Sequence, residues 1–269
     1  MYSAPSNFAR HGIEPLDRRL GEGKATLTSA ELRGELGISA QAASNLLRRW
    51  QRAGLVDRVA TGRYAIRQIG LLGTRASSED VALAVAALVG RYPHRIAYHS
   101  ALDFHGLLTR PVRTIQIASP RRFTSATVSG LPLRAVHEQE ETVELGSEAA
   151  GYGAMVSTLE RSLLDAACRP DLVGGYLPLA EALASSRPEL DRLLELAKLL
   201  NANTALRRIG SLADGLELQP LPAAAWPKRP TFDIDLDPGL KHFEPAFRDP
   251  KWRIRWPVEP SALKEEIAR

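Results

Sequence analysis

Residues 28–66 read TSAELRGELGISAQAASNLLRRWQRAGLVDRVATGRYAI, and this stretch decides how the first quarter of the chain folds. Thr28 and Glu31 have the S/T-x-x-E spacing of a capping box, in which hydroxyl and carboxylate each satisfy a free backbone N–H at a helix start. The spacing predicts a helix from about 29 to 36. Gly37 suits the left-handed backbone that ends a helix, Ile38 turns inward, and Ser39 caps a second helix over 40–53. In that helix Ala43, Leu46, Leu47 and Trp50 fall at i, i+3, i+4 and i+7, one apolar stripe for a partner helix. Gly54 stops it. Two short alternating segments, 55–59 and 63–66, then flank a Gly62 turn and read as a hairpin. Two helices joined by a three-residue turn and followed by a hairpin make a winged helix-turn-helix.

The face opposite the apolar stripe carries Gln41, Ser44, Asn45 and Arg48, with Arg49 and Arg52 flanking them. None of these side chains belongs in a core. Gln and Asn bond adenine edges in the major groove, and Arg bonds guanine or phosphate. Arg58 and Arg63 flank the hairpin tip, within expected reach of phosphates or the adjacent minor groove. The reading is therefore a recognition helix with a basic wing, and the partner it implies is double-stranded DNA. Upstream, Phe8, Ile13, Leu16 and Leu20 suggest a preceding helix, broken near Pro15, that completes the small core.

Charge placement agrees with this. Residues 1–75 hold 12 Lys+Arg against 6 Asp+Glu, a net of +6, and the remainder is −2, so the positive field belongs to the N-terminal quarter. A composition of 44% hydrophobic and 25% charged residues excludes a disordered chain. The single cysteine, Cys168, excludes an internal disulfide and a multi-thiolate zinc site, which fits a reducing, cytoplasmic setting. The longest apolar run, 81–90, is too short to span a bilayer, and no signal-peptide core opens the sequence, so no membrane role is expected.

Gly70, Gly73 and Ser77-Ser78 mark a join near Arg75, giving two expected domains, 1–75 and 76–269. In the second, helices are expected over 78–91, 100–105, 177–184, 189–200 and 204–213, with another following a Thr158 cap. Strands are expected at 95–98, 112–118, 131–136, 142–145, 231–237 and 252–256. The fold class is α+β, a winged helix-turn-helix followed by a larger mixed α/β domain. Arg161 and Asp165 stand at i, i+4 and are expected to pair.

Taken in order, these motifs resemble the AbiEi-type antitoxins of bacterial abortive-infection operons. Segments 36–39, 54–56 and 62–64 fall where that family's N-terminal regulator domain has its turn, helix end and wing. Residues 98–107, YHSALDFHGL, look like its Ser-Ala-Leu-x-x-His-Gly-Leu stretch, and 159–165, LERSLLD, with Pro170 and Gly174-Gly175, look like its Glu-Arg-Thr-Leu-Leu-Asp signature. The likeness continues through Arg208-Ile209-Gly210 to 251–256, KWRIRW. It implies an antitoxin domain carrying Ser100, His105, Arg161 and Asp165. It also implies autorepression at inverted repeats in the operon's own promoter, and neutralisation of an AbiEii-type nucleotidyltransferase toxin. A monomer in solution that binds DNA as two copies is expected, because one winged domain has a small footprint.

Other classes are weaker. Ser100 reads as the cap of a helix over 101–105 and lacks a nucleophile elbow, so no catalytic residue is assigned. His99 and His105 at i, i+6 lie on different faces, so no metal or cofactor is expected. Gly21 to Lys24 lack the spacing of a phosphate loop. A DNA-directed accessory enzyme would have to use Asp233, Asp235 and Asp237, which alternate on an expected strand without a matching motif. A plain transcription factor with a ligand-sensing second domain is the remaining alternative.

Overall fold

A computed structural model describes residues 12–24, 26–67, 78–90, 92–109, 112–123, 126–128, 131–222 and 230–268. The chain divides into two compact units. One comprises Met1–Tyr92 with Arg121–Arg134 and Ala149–Met155, the other Pro93–Pro120, Ala135–Glu148 and Val156–Arg269. The join expected near Arg75 lies outside the described residues.

The first unit opens with α1 (Glu14–Gly21), β1 (Thr26–Thr28), α2 (Ser29–Leu36), α3 (Ala40–Arg52), β2 (Val56–Ala60) and β3 (Arg63–Ile66). Pro15 lies in the first turn of α1, where a missing N–H costs nothing, so it starts the helix that the sequence reading had it break. Phe8 is outside the described residues. Thr28 accepts from the Glu31 N–H at 3.1 Å while Glu31 accepts from the Thr28 N–H at 2.8 Å, closing the capping box. Gly37 takes φ +61° at the end of α2, and Ser39 Oγ accepts from Ala42 N–H at 3.2 Å to start α3. Leu16, Leu27, Leu32, Leu46, Leu47 and Trp50 close the core at 3% exposure or less. Strand β1, absent from the sequence reading, pairs antiparallel with β3 to give a three-stranded sheet in the order β1-β3-β2. Replacing Thr28 by Ala should cost about 1 kcal/mol in urea denaturation, because the Glu31 N–H loses its acceptor.

Next come α4 (Ser78–Val89), β4 (Arg95–Ile96), α5 (Tyr98–Phe104), β5 (Ile115–Ser119), β6 (Ala126–Val128), β7 (Leu131–His137), α6 (Glu140–Val143), β8 (Ser147–Gly151) and β9 (Ala154–Ser157). The six strands form one sheet in the order β6-β7-β5-β4-β9-β8. Every residue of β5 is buried, as befits a central strand. Residues 142–145 do not form the expected strand. Their alternation is that of one helical turn, α6, which buries Val143 and is followed by a turn that closes on Gly146.

The second unit continues with α7 (Leu159–Cys168), α8 (Pro170–Val173), α9 (Tyr176–Ser185), α10 (Leu190–Leu199) and α11 (Asn203–Gly215). It closes with β10 (Ile234–Asp235), β11 (Phe247–Asp249), β12 (Ile254–Trp256) and α12 (Pro260–Ile267). Of the strand expected over 231–237, two residues pair, in parallel with β12. Helix α7 is capped by Thr158, whose Oγ1 accepts from Arg161 N–H at 3.3 Å. Its buried leucines, with those of α9 to α11 and the fully buried Trp252 and Trp256, form the unit's core. Among the described residues no helix is long and apolar enough to cross a membrane.

Candidate nucleic-acid interface

Helix α3 buries Ala43, Leu46, Leu47 and Trp50 and thereby turns its other side outward. Gln41, Asn45, Arg48, Arg49 and Arg52 are exposed and Ser44 is half-buried, so the six side chains expected on the recognition face all reach the surface there. Gln41 Nε2 donates to Asn45 Oδ1 at 3.3 Å, one turn apart, so the two amides stand side by side. Arg48 Nη2 reaches Ser44 Oγ only at 3.5 Å, leaving most of its donors open. No carboxylate lies in the first turn of α3, and its last turn carries Arg49 and Arg52, so no acid on this helix repels phosphate.

The acids of residues 12–67 are largely neutralised elsewhere. Arg19, buried at 4% exposure, holds Glu35 through Nε at 3.1 Å and a second contact through Nη2, with Glu31 at 3.4 Å. Burial alone would lower the Arg19 pKa, but Glu35 outweighs it and the group stays above its ordinary value. Glu22 pairs with Lys24 at 2.8 Å, so this lysine of the rejected phosphate-loop motif already has a carboxylate. Asp57 is taken by a two-pronged bond from Arg67, with Nε and Nη2 at 2.8 and 2.9 Å, which ties the start of β2 to the chain leaving β3. Arg48, Arg52 and Arg58 pair with no carboxylate among the described residues, and they supply the surplus positive charge.

The wing turn carries Gly62 at φ +73°, and the Gly62 carbonyl accepts from Ser29 N–H at 3.2 Å, fastening the hairpin to the start of α2. Arg58 is exposed on β2, opposite Tyr64. Arg63 is exposed too, but its guanidinium runs toward the end of α4, Nη1 standing 3.5 Å from where a Cβ at Gly90 would lie. The sequence could not place it so, because Gly90 is remote along the chain.

In the second unit, Arg161 and Asp165 are joined at 2.7 Å inside a buried ring that the sequence reading did not foresee. Arg95, fully buried, donates to both oxygens of Glu138 at 2.8 Å, to Asp165 Oδ2 at 2.8 Å, to Ser157 Oγ at 2.9 Å and to the Val143 carbonyl at 2.7 Å. Arg161 bridges Glu138 at 3.0 Å, and the Tyr98 hydroxyl donates to Glu138 at 2.7 Å. Burial pulls the Arg95 pKa down, but Asp165 and then Glu138 outweigh it and hold the guanidinium charged. Burial, reinforced by the same two carboxylates, raises the Tyr98 phenol well above its usual range. All five Arg95 N–H groups are used, so Arg95 braces strand to helix and keeps none of its own donors for a ligand. Arg95 at the head of a short apolar strand was the one available signal.

Ser100 and His105 are not brought together. Ser100 lies inside α5 and does not cap it; its hydroxyl accepts from Gln116 N–H at 2.8 Å and donates to the Thr114 carbonyl at 3.3 Å. His105 Nε2 lies 2.7 Å from the Ser157 carbonyl, which makes that nitrogen the donor. Asp233 pairs with Arg253 at 2.8 Å and Asp235 with Arg255 at 2.6 Å. Asp237 accepts the N–H groups of Gly239 and Tyr176 at 2.8 and 3.3 Å, so the three carboxylates have three separate sets of partners.

Residues 18–63 match the model of the MarR family. No curated protein matches the chain. Among solved structures, the crystal structure of the RV2827C protein from Mycobacterium tuberculosis is similar in fold. The TM-score is 0.67 at 17% identity, over 100% of this chain and 97% of that one. The chain thus carries a MarR-type winged helix-turn-helix of the DNA-binding regulators, followed by a larger α/β region.

Proposed function

We propose that the chain is the antitoxin and autorepressor of a bacterial toxin–antitoxin operon of the AbiEi type. The observation that carries the repressor half is the outward face of α3, where Gln41, Asn45 and Arg48 stand exposed on a helix that carries no acid. Two copies bind a two-fold related site in the promoter, since a single helix and wing bury too little for tight specific binding. The antitoxin half is supported by the order of motifs after the wing. They fall on residues that frame the second unit: Tyr98, Arg161 and Asp165 at the ion-pair ring, Trp252 and Trp256 in the core. The second unit acts without catalysis or a cofactor and counteracts a nucleotidyltransferase-like toxin in the cytoplasm.

The test is a two-readout growth assay in a host carrying the promoter fused to a reporter and an inducible toxin from the same operon. The native chain should lower reporter output and restore growth. Arg48→Ala combined with Asn45→Ala should release the reporter and still restore growth, because α3 is not in the second unit. Failure of the native chain to restore growth would refute the antitoxin half and leave the repressor half standing. A second reading, a regulator that senses a small ligand, is favoured by one observation, a cavity in the second unit.

A further inference from the structure

The second unit contains a cavity of about 270 Å³ between the end of α9, the first turns of α10 and the C-terminal half of α11. Leu183, Leu193, Ile209, Ala213, Leu218 and Leu221 line most of it, and four of these are no more than 5% exposed. Its wall is interrupted by polar residues with unmet bonding capacity, Ser186 and Arg187 among them. Ser186 is 6% exposed, and its hydroxyl has no hydrogen-bond partner among the described residues, a costly state for a buried group. Arg187, at the rim, donates one Nη1 bond to the Ser186 carbonyl at 2.9 Å and pairs with no carboxylate among the described residues. Glu217, the acid at the same rim, is already neutralised by Lys264.

We propose that this cavity binds a small apolar monocarboxylic acid. The hydrocarbon body occupies the leucine-lined space, and the carboxylate takes the Arg187 guanidinium and the Ser186 hydroxyl, which a rotation about χ1 turns inward. Size agrees: a dry cavity of about 150 Å³ holds benzene, so this one has room for a ring or chain of about eight carbons. Charge agrees as well, because the pairing of Glu217 leaves Arg187 as the rim's uncompensated group. The assignment does not rest on DNA binding.

Isothermal titration calorimetry on the full chain, with octanoate, octan-1-ol and octylamine as probes, tests it. Octanoate should bind saturably at one site per chain, at least tenfold more tightly than either of the other two. Arg187→Gln, at an exposed position that leaves the fold intact, should weaken octanoate about tenfold and leave octan-1-ol unchanged. Ser186→Ala should weaken octanoate without abolishing binding, and Ala213→Phe should abolish it by filling the cavity. Absence of saturable octanoate heat at millimolar concentration overturns the proposal. So does equal binding of octanoate and octylamine, or octanoate affinity untouched by Arg187→Gln.

Discussion

Replacing Arg95 by Met should destabilise the second unit by about 3–5 kcal/mol, the range for removing one partner of a buried ion pair. The guanidinium is fully buried, and its five N–H groups serve Glu138, Asp165, Ser157 and the Val143 carbonyl. Met fills similar volume, so the loss is electrostatic and not a cavity. Glu138 and Asp165, with 14% and 8% side-chain exposure, are left with Arg161 as their shared cation. Urea denaturation at neutral pH reads this directly, and a deficit under about 1 kcal/mol would show that the ring is not a brace.

The second large effect concerns Trp252. Its indole is 1% exposed, its Nε1 donates to Asp214 at 2.7 Å, and its ring lies flush against Gly210 in the middle of α11. Trp252→Ala should cost about 3–5 kcal/mol through the cavity it leaves. Gly210→Ala gives a sharper test. A methyl in a helix interior normally stabilises by about 1 kcal/mol. Here a Cβ would collide with the Trp252 indole, so the change should destabilise the native chain by about 1–3 kcal/mol as overpacking does. In the Trp252→Ala background the collision is gone, and Gly210→Ala should become stabilising. A double-mutant cycle measures that reversal, and additive effects would contradict the packing described.

These two sites lie where the sequence was silent, and the reason is distance along the chain. The helix-turn-helix was legible because its determinants are local: the Thr28 and Glu31 box, Gly37, the Ser39 cap and the stripe from Ala43 to Trp50 all act within one or two turns. The recognition face followed from the same period, since a helix that buries Trp50 must expose Arg48. By contrast Arg95 and Asp165 are 70 residues apart, and no spacing rule links them. Arg161 and Asp165 were paired correctly from i, i+4 geometry, but the partners that make the pair a ring come from β4 and the end of β7. Strand β1 was missed because three residues, Thr26–Thr28, are too few to show alternation. Residues 142–145 misled for the opposite reason, since Thr-Val-Glu-Leu alternates by chance while only Val143 is buried.

The central claim is that α3 reads bases and its arginines hold phosphates. Fluorescence anisotropy with labelled promoter DNA and a random duplex of equal length, at two salt concentrations, tests it most directly for the native chain, Asn45→Ala and Arg48→Ala. The account expects native binding to favour the promoter and to weaken steeply with salt. Asn45→Ala should lose about 1–3 kcal/mol on the promoter alone, while Arg48→Ala should weaken both duplexes and flatten the salt slope by about one unit. Equal binding of the native chain to promoter and random DNA, or variants indistinguishable from it on both, would contradict the claim.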